Sequence, residues 1–352
     1  MSETMIFDGH NDVLLDLHYE DRGEGRSFFE ESDIGHLDFP RAKSGGFGGG
    51  LFAVYVPPEP AAEDRIGSTH LTDDDNERVE ISPALTEDYA RTTAVDIAAR
   101  LHRLGQDDRV DIVCSTTELR DSLTSERITA VMHLEGAAPV GHDLRYLDFF
   151  YEAGLRSIGP VWSRPNAFGT GVPFEYPNTP DIGSGLTKEG VKLIEACNER
   201  GIVVDLAHMN TAGFWDAVEV TSDPLVVTHT AVYDICPSTR NLTDDQIDAV
   251  GESGGIVGLT FNVSDLRPDG KSDTDVDIDL LVRHIEYLVD RIGIDHVAFG
   301  SDFDGATMPD CLPDASAYQT LIDELREVGF GEEEVVKLAR ENLLRVLEET
   351  WV

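Results

Sequence analysis

Basic residues are scarce in this sequence of 352 residues. It contains 27 lysines and arginines against 68 aspartates and glutamates, which gives a formal net charge of −41 and an isoelectric point near 4.3. A field of this sign repels phosphate, so nucleic acids and anionic membrane surfaces are poor partners. Self-repulsion also destabilises the compact state unless salt screens it, and we therefore expect a halophilic prokaryotic host.

Long apolar runs and cysteine motifs are missing as well. No apolar run reaches the ~18 residues of a membrane-spanning helix, and the N-terminus lacks the basic and apolar segments of a secretory leader. We expect a cytoplasmic protein with no membrane anchor. The cysteines have no C-x-x-C spacing, and we expect free buried thiols; they are Cys114, Cys197, Cys236 and Cys311.

The order of predicted strands and helices indicates the fold. Main strands are predicted near residues 6, 52, 130, 157, 204, 226, 257 and 298, and helices alternate with them. This pattern predicts an α/β fold, a (β/α)₈ TIM-like barrel. No glycine-rich phosphate fingerprint follows the first strand, which argues against a doubly wound dinucleotide-binding sheet. We expect residues 1–352 to form a single domain, with surface excursions at about 20–50, 57–82 and 163–185.

Side chains able to bind metal follow five of these strands. They are His10, Asp12, Glu135, His208, His229 and Asp302. The active site of such a barrel lies at the carboxyl ends of its strands, so we expect these groups to converge. By themselves His10 and Asp12 equally fit a polar strand end followed by a helix cap. The six groups together predict a metal site.

Three imidazoles and two carboxylates are enough to hold two ions. Glu135 is the natural bridge, because its two oxygen atoms can bind separate metals about 3.5–4 Å apart. Imidazole and carboxylate suit Zn²⁺, although other divalent metals are compatible with this set. Asp302 would then be free to carry a proton. His133 precedes Glu135 by two residues, and we expect it to support the ligands from deeper in the barrel.

Six motifs resemble those of the membrane (renal) dipeptidase family of zinc metallopeptidases, in order over nearly the whole chain. They are Asp8–Asp12, Leu134–Gly136, Asp205–His208, Val227–His229, Arg240–Asp244 and Gly300–Gly305. The resemblance implies a barrel of the metal-dependent hydrolase type, in which a hydroxide held between two zinc ions splits the amide bond of a dipeptide.

The resemblance also implies a role for each matching residue. One zinc would be held by His10, Asp12 and Glu135. The other would be held by Glu135, His208 and His229. Two further positions match the family's anchor for the substrate carboxylate and its acid/base, and these are Arg240 and Asp302.

The sequence departs from the family pattern at one substrate-binding position. Many members carry a histidine at the end of the fourth strand, where this chain has Trp162. The family also has a common Glu-Gly-Gly-His run, and the corresponding residues of this chain, Glu135 to Ala138, are Glu-Gly-Ala-Ala. An indole replaces an imidazole, so we expect Trp162 to change the substrate range and leave the metal ligands intact.

Several alternatives stay open. Arg240 could form a salt bridge with Asp244 and Asp245. The protein could be another binuclear amidohydrolase, acting on a cyclic amide, a lactone or an acyl-amino acid, or a metal-binding relic without activity. A homodimer is compatible with the sequence, which does not decide the oligomeric state. No chemistry is assigned to the other histidines, which are His18, His36, His70, His102, His142, His284 and His296.

Overall fold

Parallel strands form the centre of the molecule. The computed structural model describes residues 3–60, 69–73 and 77–351. The strands of this part are β1 (Ile6–Asn11), β2 (Phe47–Tyr55), β3 (Thr69–Asp73), β4 (Glu77–Ile81), β5 (Val110–Ile112), β6 (Ile128–Glu135), β7 (Leu155–Ile158), β8 (Val203–Val204), β9 (Val226–Thr230), β10 (Ile256–Leu259) and β11 (Val297–Phe299).

Helices connect these strands. They are α1 (Val13–His18), α2 (Glu20–Gly23), α3 (Phe39–Ser44), α4 (Glu87–Leu104), α5 (Thr116–Leu123), α6 (Leu147–Glu152), α7 (Lys188–Arg200), α8 (Thr211–Val220), α9 (Asp244–Glu252), α10 (Val263–Leu266), α11 (Ile278–Ile292), α12 (Tyr318–Val328), α13 (Glu332–Val336) and α14 (Asn342–Thr350). The ends of α7 follow from its sequence, because Thr187 accepts a hydrogen bond from the Gly190 N–H and Gly201 adopts φ +63°.

Eight of the strands close into a barrel. One sheet has the order β1-β2-β6-β7-β8 and another has the order β11-β10-β9, all with parallel pairing. Parallel bridges from Asp205 to Val226 and from Asn11 to Phe303 join the two sheets at both seams. The observed order is that of the predicted (β/α)₈ barrel. The additional short strand β5 pairs with the beginning of β6.

Two of the predicted strands have an extent that their apolar residues do not indicate. The strand near residue 52 begins at Phe47, ahead of its apolar run and within a glycine-rich stretch. A Cβ atom on Gly49 would lie 2.2 Å from Thr129 O, and one on Gly50 would lie 2.5 Å from Asp8 O. These glycines therefore permit close strand packing. The strand predicted near residue 204 is only two residues long, because Val203–Val204 alone pair as a regular strand.

The described part of the 57–82 segment contains a hairpin that the sequence did not indicate. Strands β3 and β4 pair antiparallel, with Thr69 opposite Ile81. Residues 61–68 and 74–76 of this segment, and the side chain of His70, lie outside the described part.

The amino-terminal end of the barrel is filled by apolar side chains. One buried cluster combines interior residues of several strands, including Phe7, Leu51 and Val131, with Leu343 and Leu347 of α14. Helix α14 therefore covers this end. A short π-helical segment, Lys337–Glu341, connects α13 to α14. In the described part of the chain, none of the helices combines the length and apolar character that crossing a bilayer requires.

Candidate metal centre

The carboxyl end of the barrel brings together the predicted side chains. His10 belongs to β1, Glu135 ends β6 and His229 lies in β9, whereas His208 and Asp302 follow β8 and β11 in short loops. Asp12 comes directly after β1 and begins α1. His10, Glu135, His208 and His229 are each at most 6% exposed. The expected convergence of strand ends is therefore observed.

Glu135 lies at the centre of the cluster. Its Oε1 atom is 2.9 Å from Nε2 of His208, 3.6 Å from Nε2 of His229 and 3.7 Å from Nε2 of His10. Nε2 of His10 is also 3.5 Å from Oδ2 of Asp12. A single carboxylate thus contacts ligand groups on both sides of the site.

Hydrogen bonds on the far side of two imidazoles orient their lone pairs. The Thr228 hydroxyl donates to Asp205 Oδ2 at 2.7 Å, so Nδ1–H of His229 can donate to Thr228 Oγ1 at 2.9 Å. Ser163 Oγ lies 2.7 Å from Nδ1 of His208 and can accept its proton. In these tautomers both Nε2 atoms, 2.9 Å apart, present lone pairs to the centre.

A divalent cation fits this arrangement. Both nitrogen atoms of His10 and Oδ1 of Asp12 are buried without a hydrogen-bond partner among the described residues. Lone pairs of two imidazoles and a carboxylate that face each other repel unless a positive charge lies between them. Imidazole and carboxylate groups are also the ligands that zinc and similar ions prefer. His10, Glu135 and His229, and separately His10, Asp12 and Asp302, have ligand atoms within 4.8 Å of one another.

Burial and mutual repulsion shift the acidity of these groups. Burial raises the pKa of Glu135 well above its usual range, and neighbouring Asp12 and Asp302 add to this effect. Burial opposes protonation of His10, but the carboxylates of Glu135, Asp12 and Asp302 outweigh it and raise the pKa of His10 to about 10. The centre therefore attracts positive charge.

Asp302 is held in an unusual backbone conformation beside the cluster. Its φ is +62°, and its N–H donates to His10 O at 3.0 Å. A Cβ atom on Gly305 would lie 2.3 Å from Asp302 Oδ1 and 2.2 Å from Asp12 Oδ2, so a larger residue there would displace these carboxylates. Loss of water around the carboxyl raises the pKa of Asp302 to about 7, which suits a group that exchanges protons near neutrality.

Arg240 lies inside the site and does not pair with the acidic residues that follow it. Its Nη2 donates to His229 O at 3.2 Å, and its side chain lines the same cavity as Glu135 and Asp302. Asp244 instead pairs with Arg291 at 2.5 Å. The alternative salt bridge predicted from the sequence is therefore not formed within the described part of the chain.

The cavity over the cluster has a volume of about 320 Å³, and both aromatic and polar residues line it. Three aromatic residues, Tyr55, Trp162 and Phe174, form one side, which we call the aromatic wall. Trp162 lies 5.0 Å from Tyr55, 5.5 Å from Phe174 and 5.6 Å from His208 between ring centroids. Most of the other lining residues are polar, and they include Asn262, Ser264 and Asp265. Trp162 thus borders the ligand cluster.

His133 lies beneath the cluster, where the sequence predicted a supporting residue. Its Nδ1 is 2.9 Å from Ser157 Oγ and its Nε2 is 3.5 Å from Asp205 Oδ2. Its ring meets that of His10 edge-on at 5.4 Å. Burial lowers the pKa of His133 to about 3, so the ring is neutral. Asp205 accepts hydrogen bonds from the N–H and the hydroxyl of Thr228.

Sequence reasoning missed the partners of the imidazoles. Ser163 lies in a loop 45 residues before His208 along the chain, and no spacing rule connects the two. Thr228 precedes His229 directly, and its hydroxyl was a usable signal, because histidine ligands usually donate their second N–H to a neighbouring acceptor.

Comparisons with known proteins bear on the family of this chain. The family model described as membrane dipeptidase (peptidase family M19) matches residues 1–351. A structure described as dipeptidase AC, a metallo peptidase of family M19, superposes with a TM-score of 0.91 and 39% identity, covering 99% of both chains. Another similar structure is a metallo peptidase from Rhodobacter sphaeroides bound to a phosphinate mimic of the dipeptide L-Ala-D-Ala. It has the same TM-score and identity, and the superposition covers 99% of this chain and 100% of that chain.

A curated relative extends the comparison to a fungus. Dipeptidase tcpJ of Claviceps purpurea is 26% identical over 97% of this chain and 76% of its own length. The family match over nearly the whole sequence and the structural neighbours also establish the barrel as that of the metal-dependent hydrolases. The chain belongs to the membrane dipeptidase family, peptidase family M19.

Proposed function

We propose that this protein is a zinc-dependent dipeptidase with two metal ions. His10, Asp12 and Glu135 would hold one ion, and Glu135, His208 and His229 would hold the other. The observation that carries the proposal is the position of Glu135 Oε1, which lies within 3.7 Å of three imidazole Nε2 atoms. Membership of a metallopeptidase family supports it.

The ions and the protein would share the chemistry. When bound, zinc would polarise the amide carbonyl and lower the pKa of water towards 7, so that water becomes a nucleophile. Asp302 would accept the proton of that water and donate it to the leaving amine. In the metal-free chain, loss of hydration raises the pKa of Asp302 above the ordinary range of a carboxyl, which favours a group that both accepts and returns a proton.

Arg240 would bind the free carboxylate of the dipeptide. Its planar guanidinium can form two parallel hydrogen bonds with a carboxylate, and it is 5% exposed, so water competes weakly for it. A cavity of about 320 Å³ suits a dipeptide better than a long peptide. The dipeptide mimic bound to the Rhodobacter relative supports the same substrate class.

The alternative amidohydrolase chemistry has less support. A carboxylated lysine is a common feature of such sites, but no lysine lines the cavity within the described part of the chain. Cyclic amides and lactones have no free carboxylate that would use Arg240. A relic without activity would have no need for Asp302, whose φ of +62° is strained for an aspartate.

A substrate panel in high salt tests the proposal. It contains L,L- and L,D-dipeptides, their C-terminal amides, N-acetyl dipeptides, a lactone and a cyclic amide. We expect hydrolysis of free dipeptides that disappears with a zinc chelator and returns with Zn²⁺. Cleavage of the lactone or cyclic amide without cleavage of any dipeptide would favour the alternative.

A further inference from the structure

Arg164 is a buried cation with incomplete hydrogen bonding. It lies in the loop after β7 and is 3% exposed. Its Nη2 donates to the Tyr55 hydroxyl at 2.7 Å, whereas Nε and Nη1 have no partner among the described residues. A charged group this deeply buried requires other favourable contacts to remain in place.

Aromatic rings provide those contacts. Cζ of Arg164 lies 4.4 Å from the centroid of the Trp162 ring and 5.4 Å from that of Tyr55. A guanidinium over an indole face is an attractive arrangement, and it is stronger when both groups are desolvated. Arg164 therefore contacts two of the three members of the aromatic wall.

Arg164 supports the wall from behind. Tyr55 and Trp162 line the main cavity, but Arg164 does not. It faces a small cavity of about 10 Å³, which Trp162 and Glu135 also border. A space of this size holds about one water molecule, which could satisfy the unpaired N–H groups. The substrate would thus touch the rings and not the guanidinium.

We propose that Arg164 is a positioning residue that fixes Trp162 and Tyr55 as the contact surface for an apolar side chain of the dipeptide. This inference rests on the proposed dipeptidase function. The hydrogen bond to Tyr55 and the stack on Trp162 come from one rigid planar group, so they fix the angle between the two rings. The other residues that line the cavity are mostly polar, so the wall is its main apolar surface and the place where an apolar side chain is recognised.

The kinetic test compares Arg164→Met with a matched control. Methionine keeps a long apolar side chain but removes the charge and the N–H groups. In Arg91→Met the same change breaks a stack on Tyr146, where Cζ lies 4.5 Å from the ring centroid, outside the main cavity. The substrates are two series, X-Ala and Ala-X, in which X is Gly, Ala or Phe.

We expect Arg164→Met to lower the preference for Phe over Gly about tenfold in one series, mainly through KM, with unchanged zinc content. Arg91→Met should match the wild type. Arg164→Lys should recover part of the preference, because an ammonium group still lies over the indole. A preference within twofold of wild type in both series would overturn the proposal, as would equal losses for Gly and Phe or no recovery with lysine.

A second measurement does not depend on turnover. The chain has three tryptophans, so Trp215→Phe combined with Trp351→Phe leaves Trp162 as the fluorophore. Acrylamide should quench Trp162 at least twofold more strongly when Arg164→Met is added to this background. Unchanged quenching overturns the role of Arg164 even if dipeptides are cleaved. If the wild type cleaves no dipeptide and Arg164→Met still increases the quenching of Trp162, only the proposed function is contradicted.

Discussion

The two ends of the barrel differ in what their side chains do. At the amino-terminal end, Phe7, Leu51 and Val131 pack against the leucines of α14 in a buried apolar layer. At the carboxyl end, Glu135 and Asp302 are carboxyls with raised pKa values among imidazoles. Both ends are built from the same strands, and β6 contributes Val131 to one and Glu135 to the other.

This difference shows how the fold separates stability from chemistry. The left-handed backbone of His208 and Asp302 and the unpaired atoms of His10 are unfavourable in the metal-free protein. Apolar packing at the far end offsets that cost. Substitutions at the carboxyl end should therefore change activity more than stability, and substitutions at the amino-terminal end should do the reverse.

The largest effect is expected for Asp302→Asn. Loss of the proton carrier should lower kcat by about 10²- to 10⁴-fold, while zinc content stays unchanged. The melting temperature of the metal-free protein should not fall, because a neutral amide removes the cost of burying a carboxyl whose pKa is raised to about 7. The exposed Asp310→Asn is the control. Near-normal turnover of Asp302→Asn would remove this residue from the mechanism.

The opposite pattern is expected for Leu347→Ala. Leu347 is completely buried in the apolar layer, and a cavity there should lower the free energy of unfolding by about 2–5 kcal/mol. Urea denaturation measures this loss, and kcat/KM in native conditions should stay at the wild-type value. A large loss of activity in the folded variant would show that the two ends are coupled.

Arg240→Ala should have a smaller effect that depends on the substrate. KM for free dipeptides should rise about 10- to 100-fold, because a charged hydrogen-bonded contact is lost. Dipeptide amides should be affected little. As a control, Arg291→Ala removes a cation that pairs with Asp244 outside the cavity, and it should leave KM unchanged. Equal effects on acids and amides would contradict the assignment of Arg240.

Of the four changes, an increase in salt concentration should affect catalysis at the metal centre least. A net charge of −41 should make the melting temperature rise with KCl concentration, because exposed charges are screened. The buried centre is screened much less, so kcat should change less than stability does. Highest stability at low salt would contradict the halophilic host that the composition suggests.

Local sequence signals predicted much of this arrangement. Each candidate ligand follows or ends a short apolar run, so its place at the carboxyl end required only strand recognition, as for His229 at the end of β9. The loop contacts could not be predicted in this way. Asp304 accepts from Arg26 at 2.9 Å across 278 residues, and its N–H donates to His36 Nδ1 at 2.9 Å, although no chemistry was assigned to His36. Such pairs depend on how the excursion folds back over the barrel.

The ends of two strands could not be predicted from the sequence for a related reason. The beginning of β2 at Phe47 depends on the close approach of Gly49 to Thr129, a contact between strands that the sequence of either strand does not reveal. The short β8 likewise depends on contacts between strands, because Asp205 donates its N–H to Ile158 O of β7 but continues only as an isolated bridge to Val226 of β9.

The most direct test of the central claim is a zinc titration of the metal-free protein during dipeptide hydrolysis. Because Glu135 would be shared by two ions, activity should reach its maximum when two equivalents of Zn²⁺ have been added per chain. A maximum at one equivalent, or full activity without metal, would contradict the two-metal centre.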